Sequence, residues 1–441
     1  MPILDPVTSS EKLPSSVDVA IVGGGIVGAA AAYYLARAGV PVALFEKGEI
    51  GGEQSSRNWG FVRSQGRDPR EIPLMLASLD LWRGLNAEIG METGFRQSGI
   101  LYLADTDAKL AEFEAWLKVG KGFPIETRLL GAKEAADLIP GATQRFAGGL
   151  YTPSDGRAEP SMAAPALARA AQANGGGVFT NCAVRGVETS AGRVSGVVTE
   201  KGTVKASTVV VAGGAWSSLF VRRLGLRLPQ LKVLGSVMRT APLPEVYGGG
   251  VWGPGFSFRR RLDGGYSLAP SHAELVEIVP DSFRFFFDFL PGLKSEIGSM
   301  HLRLRGSFLK ELGWTLSGGT DRPGPYEAVR TYDPAPEAAW LKSLAEKLAR
   351  AHPAFKEMQI VERWAGGIDV TPDAVPVIGP VDSIPGLILA TGFSGHGFGI
   401  GPGAGHLVAD IARGATPLVD PAPFSWTRFI DGSKLAPFAA V

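Results

Sequence analysis

VAIVGGGIVG, running from Val19 to Gly28, is the stretch on which the fold turns. Four apolar residues, the mark of a buried parallel strand, run into glycines spaced G-x-G-x-x-G, and an Ala-rich helical pattern follows at once. In that context each glycine has a task. Gly23 permits a tight turn, Gly25 lets the backbone approach a pyrophosphate, and Gly28 lets the helix pack on the strands. Ile26 and Val27 lie between them, at a helix N-terminus whose free N–H groups face the phosphates. Gly39 ends the helix, and Val40–Phe45 (VPVALF) reads as the next strand, so residues 17–46 form one βαβ unit. Glu46 closes it, 18 residues past Gly28, where a carboxylate can accept hydrogen bonds from the ribose hydroxyls of an adenosine; Lys47 follows.

Three other segments carry related signals. Gly51-Gly-Glu-Gln-Ser55-Ser56-Arg57-Asn58 is a polar loop suited to lie along a pyrophosphate. Val209–Ser217 (VVVAGGAWS) is a buried strand running into Gly213 and Gly214, with Ala212 and Trp216 beside them. Near the end, Gly395, His396, Gly397, Phe398, Gly399 and Ile400 form another glycine-rich entry to a helix, and Pro402 suits that helix's first turn. A helix N-terminus placed there would stabilise the negative charge of a reduced flavin. Val184 and Gly366 complete the expected contacts. A cofactor touching such distant segments is long, which favours FAD over NAD.

The bulk numbers narrow the alternatives. With 44 basic and 43 acidic residues among 441, the net charge of +1 gives no basic surplus for nucleic acid. One cysteine, Cys182, permits no intramolecular disulfide and fits a reducing, cytoplasmic setting; we expect it buried and inert. Five scattered histidines offer no metal site. Val19–Ala36 is uncharged and nearly long enough to cross a membrane, but glycines interrupt it and the βαβ reading explains it better. No histidine precedes His272 and the single cysteine is early, so FAD should be held non-covalently.

The assembled segments resemble the D-amino-acid-oxidase-like flavoprotein superfamily of glycine oxidases, sarcosine oxidases and D-amino acid dehydrogenases, over nearly the whole chain. Leu81–Asn86, Thr180–Glu188, Asp281–Phe283, Val361–Trp364 and Pro423–Phe429 are most similar to the bacterial L-amino acid deaminases and L-amino acid oxidases. The resemblance implies a mixed α/β (α+β) fold: a Rossmann-type FAD-binding domain from discontinuous segments, with an inserted antiparallel-sheet substrate domain. We assign residues 17–80, 150–228 and 360–441 to the first, and 81–149 and 229–359 to the second, after a flexible leader at 1–16. The deaminases resembled carry an N-terminal membrane helix; this chain opens on the polar leader instead, so no span is expected. An extra module near 282–318 opens on the aromatic run Phe283–Leu290, either core or a peripheral contact with the inner membrane near 283–293.

The implied chemistry is hydride transfer from the Cα of an amino acid to flavin N5, with water then giving a 2-oxo acid and ammonia. A bidentate arginine is the natural partner for the substrate carboxylate. Arg259 is the first candidate, on the segment matching the family's substrate strands, and Arg261, on the same face of the strand, is its rival. Trp364, Phe61, Gln97 and Phe393 are pocket candidates, while His396 could steer oxygen or hydrogen-bond the cofactor. A D-amino acid or secondary-amine (opine-type) enzyme is the alternative on the same scaffold. Oxygen or a quinone or other carrier as electron acceptor, and the oligomeric state, stay open.

Overall fold

A computed structural model describes residues 2–271, 274–296 and 300–438. Its first sheet has eight strands and is built around the fingerprint strand Ser16–Val22. That strand pairs in parallel with Gly202–Val211 on one side and Val42–Phe45 on the other, and Gly177–Phe179 and Leu387–Thr391 extend the parallel core. Helices cover the face that carries Ile21, Leu44 and Val210, and Ala20, Phe45 and Val209 are buried on the other, so the strands read as unbroken apolar runs. The helix Ile26–Arg37 packs between Pro160–Ala173 and Gly397–Ala412, and its alanines 29–32 keep both contacts close. The uncharged stretch Val19–Ala36 is thus divided between strand and helix. Among the described residues no helix is long and apolar enough to cross a membrane.

The second sheet has ten strands, antiparallel except where Gly250–Gly253 meets Ile100–Ala104 and Glu274–Glu277 meets Met300–Arg303. Ile360–Val370 belongs to this sheet, paired at ten positions with Leu231–Thr240, although residues from 360 onward were expected with the nucleotide-binding strands. Gly148–Thr152 also joins it, through Ile100–Ala104. The chain therefore returns to the first sheet later, at Val377–Pro380.

Two local expectations change. Residues 2–16 are not a loose leader. Asp5 N–H donates to the Ser161 carbonyl, Ser10 and Val178 exchange two hydrogen bonds, and Arg169 meets Asp5, so the segment is docked along the helix Pro160–Ala173. The last long helix begins at Gly397, which puts Pro402 in its interior rather than its first turn. A partner helix repairs the ladder there. The Ser78 hydroxyl, on the helix Ile72–Ile89, donates to the Gly399 carbonyl at 2.8 Å and accepts from Gly403 N–H at 3.1 Å, and Trp82 Nε1 donates to the same carbonyl at 2.8 Å.

The extra module comprises Pro280–Arg284, Phe286–Glu296, Met300–Arg303 and Ser307–Leu316. Of twelve exposed large apolar side chains among the described residues, eight lie between Phe283 and Leu316, with Phe287 83% exposed. The aromatic run is split by this arrangement. Phe285 is core, whereas Phe283, Phe286 and Phe287 face outward.

Candidate active site

The fingerprint turn opens a cavity at the carboxyl ends of the parallel strands, where open α/β sheets bind ligands. Gly23 sits at φ +106°, and a Cβ there would lie 2.4 Å from the Ala212 carbonyl oxygen, so only glycine fits. At Gly28 a Cβ would lie 2.1 Å from the Gly23 carbonyl oxygen, which fixes how closely the helix follows the turn. The resulting cavity holds about 360 Å³. Twelve of its lining residues are glycines, so much of its wall is bare backbone.

Its two ends differ in chemistry. At one, Phe45, Glu46, Lys47, Val184, Trp216 and Tyr326 surround the end of the second strand. Glu46 accepts from Gly24 N–H at 2.7 Å and Gly48 N–H at 2.8 Å; burial still pushes its pKa up, against the pull of Lys47 and those bonds. In the middle, Gly23, Gly25, Ile26, Val27, Ser55, Arg57, Asn58, Ala212, Gly213 and Gly214 line the floor, and Ser55 Oγ accepts from Ile26 N–H at 2.9 Å. At the other end stand Phe61, Trp252, Phe393 and the segment Gly395–Gly399, with Gly366 nearby. Two helix N-termini, of Ile26–Arg37 and Gly397–Ala412, therefore meet one cavity. That arrangement fits FAD, with the first facing a pyrophosphate and the second an electron-rich ring. Gly28, Ser56 and Ile400 do not line the cavity: Gly28 and Ile400 are packed behind it, and Ser56 faces a separate small crevice.

The expected substrate arginine does not line it either. Arg259 is fully buried and saturated, its guanidinium donating to Glu159 at 2.8 and 3.2 Å, to the Trp59 carbonyl at 2.6 Å and to Ser267. Arg261 and Trp364 line the small crevice instead; Arg261 bonds Ser267 and Asp263, and Trp364 Nε1 donates to the Arg57 carbonyl. Gln97 is exposed and accepts from Arg83. Strand parity puts Arg259 and Arg261 on one face, and what both meet there is Glu159.

Other arginines, missed in the sequence, reach the cavity. Five cationic side chains line it, and four have a carboxylate partner: Lys47 with Glu53, Arg57 with Asp333, Arg67 with Glu71, and Arg330 with Glu200. Arg63 has none among the described residues. Its Nη1 donates to the Gln65 carbonyl, its guanidinium lies 5.7 and 5.8 Å from the ring centres of Tyr102 and Trp252, and its other nitrogens are neither bonded nor buried. Beside it, Arg67 donates to the Arg63 and His396 carbonyls, and burial lowers its pKa to about 10. His396 Nδ1 lies 3.0 Å from Glu71 Oε2. Burial pushes the imidazole pKa down, so we read a neutral ring donating from Nδ1 to an ionised Glu71.

The sheet, the glycine-walled cavity and its paired helix termini define a flavin-dependent oxidoreductase. The chain belongs to the family of FAD dependent oxidoreductases (DAO), whose model matches residues 18–411, and that family uses FAD. It is similar to the L-amino acid deaminase of Proteus myxofaciens, solved in complex with anthranilate, at 34% identity and a TM-score of 0.92, over 97% of this chain and 96% of that one. For the Proteus vulgaris deaminase with its specific insertion sequence deleted, the identity is 31% and the TM-score 0.78, over 96% and 97%. A glycine oxidase of Geobacillus kaustophilus is 30% identical over 94% of this chain and 97% of its own length.

Proposed function

We propose that this protein oxidatively deaminates L-amino acids to 2-oxo acids and ammonia, with Arg63 holding the substrate carboxylate. The observation that carries the reading is Arg63 itself: a residue only 8% exposed that lines the FAD-family cavity, its guanidinium with free N–H groups and no carboxylate partner among the described residues. Structural likeness to an L-amino acid deaminase at a TM-score of 0.92 supports the L assignment. Phe61, Trp252 and Phe393 supply an apolar wall for the substrate side chain. Residues at the fingerprint turn, Glu46 and the Gly395–Gly399 segment would hold FAD, which when bound accepts the Cα hydride.

The test is anaerobic bleaching of the flavin band by paired L- and D-amino acids and N-alkylated amino acids. Bleaching by L-amino acids alone is expected. Bleaching only by D-amino acids or secondary amines would overturn the assignment.

We extend the reading to a peripheral membrane contact and a carrier at the membrane surface as electron acceptor. The outward apolar face of the module supports this: Arg284, Arg303 and Lys310 are exposed beside it, while Asp281 and Asp288 turn onto Arg222 and Arg227. Co-sedimentation with anionic vesicles should be lost in Phe287→Asp with Leu304→Asp; equal sedimentation of the variant would refute it.

A further inference from the structure

A zwitterionic substrate needs more than a carboxylate clamp. Its ammonium must lose a proton before nitrogen can offer a lone pair to Cα, and the same cavity holds one side chain arranged to take it. His396 lies at the N-terminus of the helix Gly397–Ala412 and lines the cavity. With Nδ1 committed to Glu71, its Nε2 is an acceptor that is neither bonded within the protein nor buried. Glu71 stands directly behind, wholly buried, with its second oxygen, Oε1, lacking any partner. The titratable groups facing the ring are Glu71, Arg67 and Arg63. The arginines oppose a charged imidazole and Glu71 favours it. Asp369 also lines the cavity but is turned onto Gly392, Thr391 and Gln230.

We propose that His396, held by Glu71, is the acceptor of the substrate's ammonium proton. The inference rests on the amino acid reading above. An ammonium N–H bond breaks, its electron pair stays on nitrogen and its proton moves to Nε2. That lone pair forms the Cα=N bond as the Cα hydrogen leaves with both electrons to the flavin, the oxidant. The product is an iminium, and the imidazolium returns its proton to solvent. Burial keeps the resting ring neutral and ready to accept, and Glu71 stabilises the imidazolium once it forms. His396 is thereby a catalytic residue and Glu71 a positioning residue.

The test uses the holoenzyme, anaerobic stopped-flow reduction by L-phenylalanine between pH 5 and pH 10, and titration with 3-phenylpropanoate, a carboxylate without an amine. His396→Gln should slow reduction by about 10²–10³-fold at neutral pH, within the range for loss of a general base. The deficit should shrink as rising pH deprotonates the substrate itself, while 3-phenylpropanoate binding holds within about twofold. Glu71→Gln should cost about tenfold and move the acid limb of the profile to lower pH, because the imidazolium loses its counter-charge. A deficit in His396→Gln that is equal at every pH, or that comes with weakened 3-phenylpropanoate binding, would overturn the proposal in favour of a structural role. Wild-type rates in that variant would overturn it outright. A wild-type flavin that no amino acid bleaches would bring down the underlying reading as well, so the two failures are distinct.

Discussion

Two groups of cations, each with buried arginines among them, differ in how many acceptors surround them. Arg157, Arg259 and Arg261 crowd onto one carboxylate, Glu159, which accepts from Arg259 and from Leu262 N–H. Along the cavity, among the described residues, each cation has its own carboxylate except Arg63. The first group ties the strand Phe256–Arg260 to the start of the helix Pro160–Ala173. The second leaves a charge available. Burial alone does not make an arginine a ligand group; a shortage of acceptors within the fold does.

The contrast can be broken at several points. Glu159→Ala should be the most damaging change, costing about 3–5 kcal/mol in urea unfolding because it strands a wholly buried guanidinium. A loss below about 1 kcal/mol would mean the cluster does not hold the elements together. Next comes Arg63→Met. It should weaken substrate or 3-phenylpropanoate binding about 10–100-fold, as expected for losing a charged hydrogen-bond partner, and leave unfolding stability unchanged or raised. Equal damage to folding would erase the distinction between the groups.

A pH series sharpens it further. Burial alone would raise the Glu159 pKa, but Arg259 overrides this and holds it at about 2, below its ordinary 4.5. The stability it contributes is therefore fully present above pH 4.5 and lost as pH falls toward 2. Wild type should lose about 3 kcal/mol more than Glu159→Gln across that window, on the scale of ~1.4 kcal/mol for each pKa unit. Parallel curves would contradict the pairing. Smallest of all, Arg261→Met should change stability by under about 1 kcal/mol, since Arg261 reaches Glu159 only at 3.8 Å and shares the exposed Asp263.

How far these groups could be read in the sequence follows from the range of the forces that set them. Gly23, Gly25 and Glu46 were legible because a tight turn and a strand end impose local backbone demands, and all three line the cavity. Arg259 was legible only as a strand residue sharing a face with Arg261. Its partner is 100 positions earlier, and that meeting depends on how two sheets stack. Arg63 had a signal that went unread: a charged residue directly after the apolar pair Phe61–Val62, downstream of the polar cofactor loop. His396 was legible as a polar residue among the glycines of the cofactor entry, but Glu71 and its pairing with His396, 325 positions away, had no signal. Ile360–Val370 was misplaced because nothing local in IVERWAGGIDV tells one sheet from the other, and pairing with the distant Leu231–Thr240 decides between them.

The hydroxyl of Ser78 stands where a helix would close a rung on itself, between the Gly399 carbonyl and Gly403 N–H. It takes the place that a trapped water occupies in many kinked helices, except that it is carried by a neighbouring helix and cannot diffuse away. A sideways slip of the helix Ile72–Ile89 would pull on that rung and swing the opening turn of Gly397–Ala412. The two helices then behave as a lever and its linkage, through which packing far from the cofactor can retune the direction of the N–H groups aimed at it.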